Sequence, residues 1–403
     1  MPEAVIVATA RTPIGRAFKG SLTDQRPDDL AAFIVRAALG KVPEVEPGSV
    51  EDLLLGCGLP GGEQGFNMAR VVAILAGMEG VPGTTVTRYC SSSLQTMRMA
   101  MHAIRAGEGD VFVAAGVETV SRFGAGTSDV GSAQNPRFAE AAERTGQLAA
   151  GGPPWAPATA PQLPDIYIDM GQTAENVAEI EGVGRQEMDE YAALSQQRAV
   201  AAQEIGFFER EITPVTKADG TVVAKDDGPR PGTTVERLAQ LQAVFRPDGK
   251  VTAGNACPLN DGAAAVVVMS DTRARELGVT PLARIVASGV SALDPEIMGL
   301  GPIEASRQAL TRAGMSIDDI DLVELNEAFA AQVIPSARAL EVEWDKLNVM
   351  GGAIALGHPF GMTGARIMTT LLNALQHHDL QVGLETMCVG GGQGMAMIVE
   401  RLG

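Results

Sequence analysis

Arg88-Tyr89-Cys90-Ser91-Ser92-Ser93-Leu94-Gln95 sets one cysteine where two kinds of periodicity meet. Upstream, Thr84, Thr85, Val86 and Thr87 favour a strand, while Leu94, Met97, Met101 and Ile104 recur downstream at helical spacing. The stretch is a strand-to-helix junction, with the Cys90 thiol near a helix N-terminus. The unpaired N–H groups and dipole of a first turn favour thiolate over thiol, so a depressed pKa and a reactive nucleophile are expected. A buried structural cysteine is the other reading.

The same junction recurs on either side. Strand-like residues 4–8, 50–56, 84–87 and 110–115 alternate with helix-like residues 28–39, 67–76 and 92–106, which predicts a sheet covered by helices. From about 121 to 251 the chain turns rich in Gly, Pro and Ala, with one amphipathic stretch at 185–205, and reads as an insertion. Ala263-Ala264-Ala265-Val266-Val267-Val268-Met269 would complete the interrupted sheet. The second half then replays the first: 282–288 resembles 4–10, 321–325 resembles 52–55, 365–375 parallels the helix after Cys90, and 395–400 matches 266–270. Two copies of one α/β unit would place a cleft between them.

Bulk properties narrow the function. A chain of 403 residues with 45% hydrophobic content suits two or three globular domains. No apolar run approaches the roughly 20 residues of a membrane span, and the acidic N-terminus is unlike a targeting peptide, so a cytoplasmic enzyme is expected. A net charge of −18 disfavours nucleic acid as a partner. Residues 207–250 are neutral by contrast, with seven basic and seven acidic side chains, and are either an anion-docking face or an ordinary solvated surface. The four cysteines form no CxxC, and the four histidines show no metal-ligand spacing, so neither disulfides nor a metal site is expected.

Three later segments carry chemistry: Asn326-Glu327-Ala328-Phe329, Gly357-His358-Pro359, and Cys388-Val389-Gly390-Gly391-Gly392-Gln393-Gly394. With the Cys90 box, in this order, the chain resembles the thiolase family of acyl-CoA:acetyl-CoA acyltransferases over its full length. Gln172-Thr173-Ala174-Glu175-Asn176-Val177-Ala178, Gly254-Asn255-Ala256 and Asn260-Asp261-Gly262 also look like family signatures. The resemblance implies duplicated βαβαβαββ halves in a five-layer α-β-α-β-α arrangement. These would comprise residues 1–120 with 251–271, and 272–403, with a loop domain at 121–250 for coenzyme A and the acyl chain.

Carried over by resemblance, Cys90 is the acyl acceptor, His358 its base and Cys388 the second acid/base. The ordinary thiol pKa of about 8.5 would need only slight lowering at Cys388. Asn326 would hold a water that forms one oxyanion hole with His358, and the N–H groups of Cys90 and Gly390 would form the other. Glycine at 390 would permit close backbone approach. Arg230 would meet the nucleotide end of coenzyme A, and Ala253, Ala256 and Cys257 would flank its pantetheine arm, with Ala328 and Phe329 beside them. Coenzyme A would be a co-substrate, with no permanent cofactor, and a homodimer or homotetramer is implied.

Two positions depart from the family pattern: Cys257 stands where serine is common, and Ser93 where glycine is usual. A ketoacyl synthase would carry histidine or asparagine where Cys388 stands. A non-catalytic acyl-CoA binding protein would lack one of the reactive residues, and all are present. Degradative cleavage of a 3-oxoacyl-CoA is the primary reading, with acetoacetyl-CoA synthesis the alternative direction.

Overall fold

The computed structural model describes residues 2–126 and 134–403. The first part runs β1 (Ala4–Arg11), β2 (Gly15–Arg16), α1 (Pro27–Gly40), β3 (Asp52–Cys57), α2 (Met68–Leu75), β4 (Gly83–Val86), α3 (Ser92–Ala106) and β5 (Val111–Thr119). Pro27 opens α1, Asp28 and Asp29 sit in its first turn, and Leu30, Ile34, Val35 and Ala38 form its buried stripe. Every residue of β5 is buried, as its nearly unbroken apolar run requires.

Next come α4 (Ala139–Ala149), α5 (Met170–Ile180), α6 (Arg185–Glu204), β6 (Val215–Thr216), β7 (Val222–Val223) and α7 (Val235–Leu238). This segment is more regular than its composition suggests. Helix α5 escapes a sequence reading because its buried residues include Gln172, Thr173, Glu175 and Asn176, so no apolar stripe marks it. Arg11, fully buried, pins the segment to β1 through Glu211 at 2.7 Å and Asp226 at 2.8 Å. Such a guanidinium is tolerated in the interior only because it is paired.

The remainder is β8 (Asn260–Ser270), α8 (Asp271–Leu277), β9 (Ala283–Ala292), α9 (Gly301–Ala313), β10 (Leu322–Leu325), α10 (Ala330–Ala339), α11 (Ala353–Leu356), α12 (Thr363–His378), β11 (Val382–Val389) and β12 (Gln393–Arg401). The strand order is β10-β11-β12-β9-β1-β8-β5-β3-β4. It reads outward from its middle as one motif twice: β1-β8-β5-β3 and β9-β12-β11-β10 share the same sequence of antiparallel and parallel pairings. The copies join through the short antiparallel β1–β9 contact at Val5–Arg284 and Ile6–Ala283.

Side-chain alternation along the strands sorts the interior into three apolar clusters. One puts α1 and α2 against the outer face of the first half, and another puts α9 and α10 against that of the second. The third joins both inner faces through α3 and α12, for example Val266 and Val268 with Leu94, Met97, Met368 and Met397. The layering is therefore α-β-α-β-α, with α3 and α12 at the centre. Both central helices begin at the same end of the molecule, where Gly364 meets the backbone of Leu94 so closely that a Cβ would lie 2.4 Å from its nitrogen. No helix among the described residues is long and apolar enough to cross a membrane.

Candidate active site

Cys90 lies in the single 3-10 turn Tyr89–Ser91 that leads into α3 and is 8% exposed. Tyr89 adopts φ 44°, a left-handed conformation that costs a non-glycine residue energy and turns the chain sharply before the thiol. The turn packs on α12 and on β11, the elements that follow His358 and contain Cys388. The N–H groups of Gly390 and of Cys90 itself are directed at the Cys90 sulfur.

The expected depression of the Cys90 pKa is overturned. Burial pushes the thiol up to about 12, outweighing the two N–H groups that favour the thiolate. The same holds for Cys388, fully buried on β11, whose pKa is pushed well up by burial and then by the neighbouring Cys90 and Cys257. In the free protein both are neutral thiols.

His358 is 1% exposed, and burial, followed by the nearby Arg366, lowers its pKa to about 3. The hydrogen bonds around it assign a tautomer. Thr363 Oγ1 donates to Pro359 O at 2.7 Å and so receives the His358 Nδ1 proton at 2.6 Å. Nε2 is left with its lone pair, facing Asn326 Nδ2 at 3.3 Å. A neutral imidazole with an unprotonated Nε2, here accepting from Asn326 Nδ2, is a base in its working form. Asn326 Oδ1 is buried without a partner, an acceptor suited to a water.

The other residues singled out from sequence divide into two groups. Cys257 N–H donates to Ala328 O at 2.9 Å and Ala256 bridges to Phe329, which forms one wall continuous with Asn326. Ala253 is exposed nearby. Arg230 stands apart on an exposed loop, its N–H donating to Gln196 Oε1 at 2.8 Å. Gly390 is not demanded by packing, since a Cβ there would meet Tyr89 at an ordinary 3.4 Å. Of the expected loop domain at 121–250, residues 127–133 lie outside the described residues. An open groove of about 790 Å³ runs past Leu59, Thr87, Arg88, Tyr89, Phe123 and Gln393, beside the Cys90 turn.

Two buried carboxylates hold the frame: Glu118, which the sequence reading missed, and Glu327, which it quoted only as part of the motif at 326–329. Glu118 accepts from Gly58 N at 2.7 Å, Gln64 Nε2 at 2.7 Å and Gly361 N at 2.9 Å, linking the ends of β3 and β5 to the loop after His358. Glu327 accepts from Tyr191 Oη and Ser195 Oγ, each at 2.6 Å, and from Asn348 Nδ2 and Ile354 N. An acid ending the apolar run of β5 was the available signal for Glu118. Among the described residues, no three His, Cys, Asp or Glu side chains are grouped to hold a metal ion.

A nucleophilic thiol, an unprotonated imidazole nitrogen and a second thiol, where two repeated α/β halves meet, are the equipment of an acyl-transferring enzyme. Comparison with known proteins gives the family. The model described as thiolase, N-terminal domain matches residues 4–272, and that described as thiolase, C-terminal domain matches residues 279–401. The chain is 43% identical to a 3-ketoacyl-CoA thiolase of Photobacterium profundum, with all of both chains covered. It is also 43% identical to a beta-ketoadipyl-CoA thiolase of Acinetobacter baylyi, again over the whole of both. The crystal structure of the Bacillus anthracis acetyl-CoA acetyltransferase superposes with a TM-score of 0.86 at 38% identity, covering 100% of this chain and 99% of that one. This chain belongs to the thiolase family and is an acyltransferase with thiolase activity.

Proposed function

We propose that the chain cleaves a 3-oxoacyl-CoA with coenzyme A, giving acetyl-CoA and a shortened acyl-CoA, and that it runs chiefly in this degradative direction. His358 Nε2 takes the Cys90 proton, and the thiolate adds to the C3 carbonyl. The C2–C3 bond breaks, the acyl group stays on Cys90, and the acetyl-CoA enolate leaves and takes its proton from Cys388. Coenzyme A then gives its thiol proton to the Cys388 thiolate and attacks the thioester, and Cys90 leaves as a thiolate that recovers its proton from His358. The N–H groups of Cys90 and Gly390 would serve the tetrahedral oxyanions, and His358 with a water on Asn326 Oδ1 the enolate, each donor worth on the order of 100-fold in rate.

The observation that carries this reading is the His358 tautomer, fixed by Thr363 with Nε2 unprotonated. The raised thiol pKa values fit thiols that are neutral at rest and give up their protons to a neighbouring base as they react. The wall of Ala256, Cys257, Ala328 and Phe329, with Ala253, would receive the pantetheine arm, and Arg230 the nucleotide. No permanent cofactor is needed, and a cytoplasmic setting suits the reaction. The bare outer edge of β4, flanked by exposed Phe66, Ile74 and Leu75, suits a homodimer through that edge.

Intact-protein mass spectrometry after mixing with a panel of 3-oxoacyl-CoAs tests the function. An acyl adduct on Cys90 with acetyl-CoA released, absent in Cys90→Ala, is expected, and the best-loaded compound names the acyl class. No adduct from any chain length on folded, reduced protein would overturn the reading.

A further inference from the structure

We propose that Ser93 is a positioning residue of the reaction above: its hydroxyl caps the helix that starts beside His358 and thereby fixes the base relative to Cys90. Ser93 is wholly buried in the first turn of α3, three residues after the nucleophile. Its Oγ accepts from Ala365 N at 2.9 Å. Ala365 is the third residue of α12, one of the positions whose N–H has no partner within its own helix. The residue that should cap α12 is Met362, which has no side-chain acceptor and makes no capping bond. Ser93 supplies the cap from another helix.

The surroundings make room for the turn that carries this hydroxyl. A Cβ on Gly116 would lie 2.6 Å from Ser93 Cβ, and one on Gly56 2.5 Å from Ser93 N, so both strands give up side chains to let the start of α3 dock. Gly364 lets α12 reach Leu94. The helix start held in this way contains Thr363, and Thr363 Oγ1 orients His358 Nδ1. The Ser93–Ala365 and Thr363–His358 hydrogen bonds, joined by the backbone of the first turn of α12, therefore link the helix of Cys90 to His358. Releasing the cap frees the first turn of α12, and small misplacements of a catalytic group are expensive.

The inference rests on the proposed reaction but has a test independent of it. Ser93→Ala, Thr363→Val and the double variant are compared by kcat and KM, and by the pH dependence of Cys90 alkylation with iodoacetamide, read by peptide mass. Ser93→Ala should lower kcat roughly ten-fold with KM for coenzyme A little changed. Alkylation at neutral pH should slow, with its profile moved to higher pH, because proton transfer to His358 is impaired. The two substitutions should be non-additive. An unshifted alkylation profile, or fully additive effects, would assign Ser93 to packing alone and overturn the proposal. If Ser93→Ala does not fold, Ser93→Gly removes the same acceptor. Alkylation needs no substrate, so it judges Ser93 even if no 3-oxoacyl-CoA is turned over.

Discussion

His358 Nδ1 lies 2.6 Å from Thr363 Oγ1, whose own proton is committed to Pro359 O. The base thus arrives with its catalytic nitrogen unprotonated, without a carboxylate to orient it. Thr363→Val keeps the shape of the side chain and deletes the acceptor. A loss of about 100-fold in kcat is expected, with KM for coenzyme A changed much less, since the group acts on proton transfer and not on binding. Steady-state thiolysis kinetics checks this.

Burial of His358 has a consequence for stability. Its pKa falls from 6.5 to about 3 on folding, so between those values the unfolded chain binds more protons than the folded one. Stability contributed by this residue is complete above pH 6.5 and is lost as pH falls toward 3. Urea unfolding midpoints at pH 7 and pH 4.5 should drop further for the wild type than for His358→Gln, which has no such group to titrate. Equal drops would show that the imidazole is not held neutral.

Glu118 faces only donors, so replacing one carboxylate oxygen by an amide NH₂ turns an acceptor against an N–H. Glu118→Gln should destabilise the fold by about 1–3 kcal/mol and reduce turnover, because the Gly361 loop lies between His358 and α12. Thermal unfolding and thiolysis rates, measured together, test the two effects.

The sequence exposes what repeats and what reacts. The strand-to-helix junction at Cys90 appears as read, with α3 spanning Ser92–Ala106. The replay of 4–10 at 282–288 is visible in the twice-used strand order. The electrostatics of the site were not legible. A helix-start argument gave Cys90 a lowered pKa, because dipoles can be read from neighbours in sequence, whereas desolvation depends on what the fold brings from elsewhere. Glu118 was overlooked, and Glu327 was read only as part of a motif, for a related reason. Both work through partners supplied by the tertiary fold, Tyr191 and Ser195 reaching Glu327 from more than 130 positions away, whereas Thr363 acts locally on His358 and Pro359 and has no role in the sequence reading. Ser93 stood out only as a departure from the family pattern, and its partner Ala365 gives no sequence signal at all.

Arg230 tests the ligand face. Its guanidinium makes no ion pair among the described residues, so reversing its charge removes no internal contact. Arg230→Glu should raise KM for coenzyme A at least several-fold while leaving kcat nearly unchanged, and the effect should shrink with rising ionic strength. An unchanged KM would remove this residue from the coenzyme A site.

Cys388 separates two halves of the chemistry that other variants disturb together. Breaking the C2–C3 bond creates an enolate that needs a proton, whereas moving an acyl group between coenzyme A and Cys90 creates no carbanion. Cys388→Ala should therefore depress thiolysis of a 3-oxoacyl-CoA by about 10²–10⁴-fold. Exchange of labelled coenzyme A into a simple acyl-CoA forms no enolate and loses only the Cys388 acceptor for the coenzyme A thiol proton, so it should fall much less, with His358 and the N–H groups directed at Cys90 untouched. If exchange falls as far as thiolysis, the coenzyme A proton depends on the second thiol as strictly as the enolate does. If neither falls, another group protonates the enolate, and Cys257, which adds to the raised pKa of Cys388, is the next residue to replace.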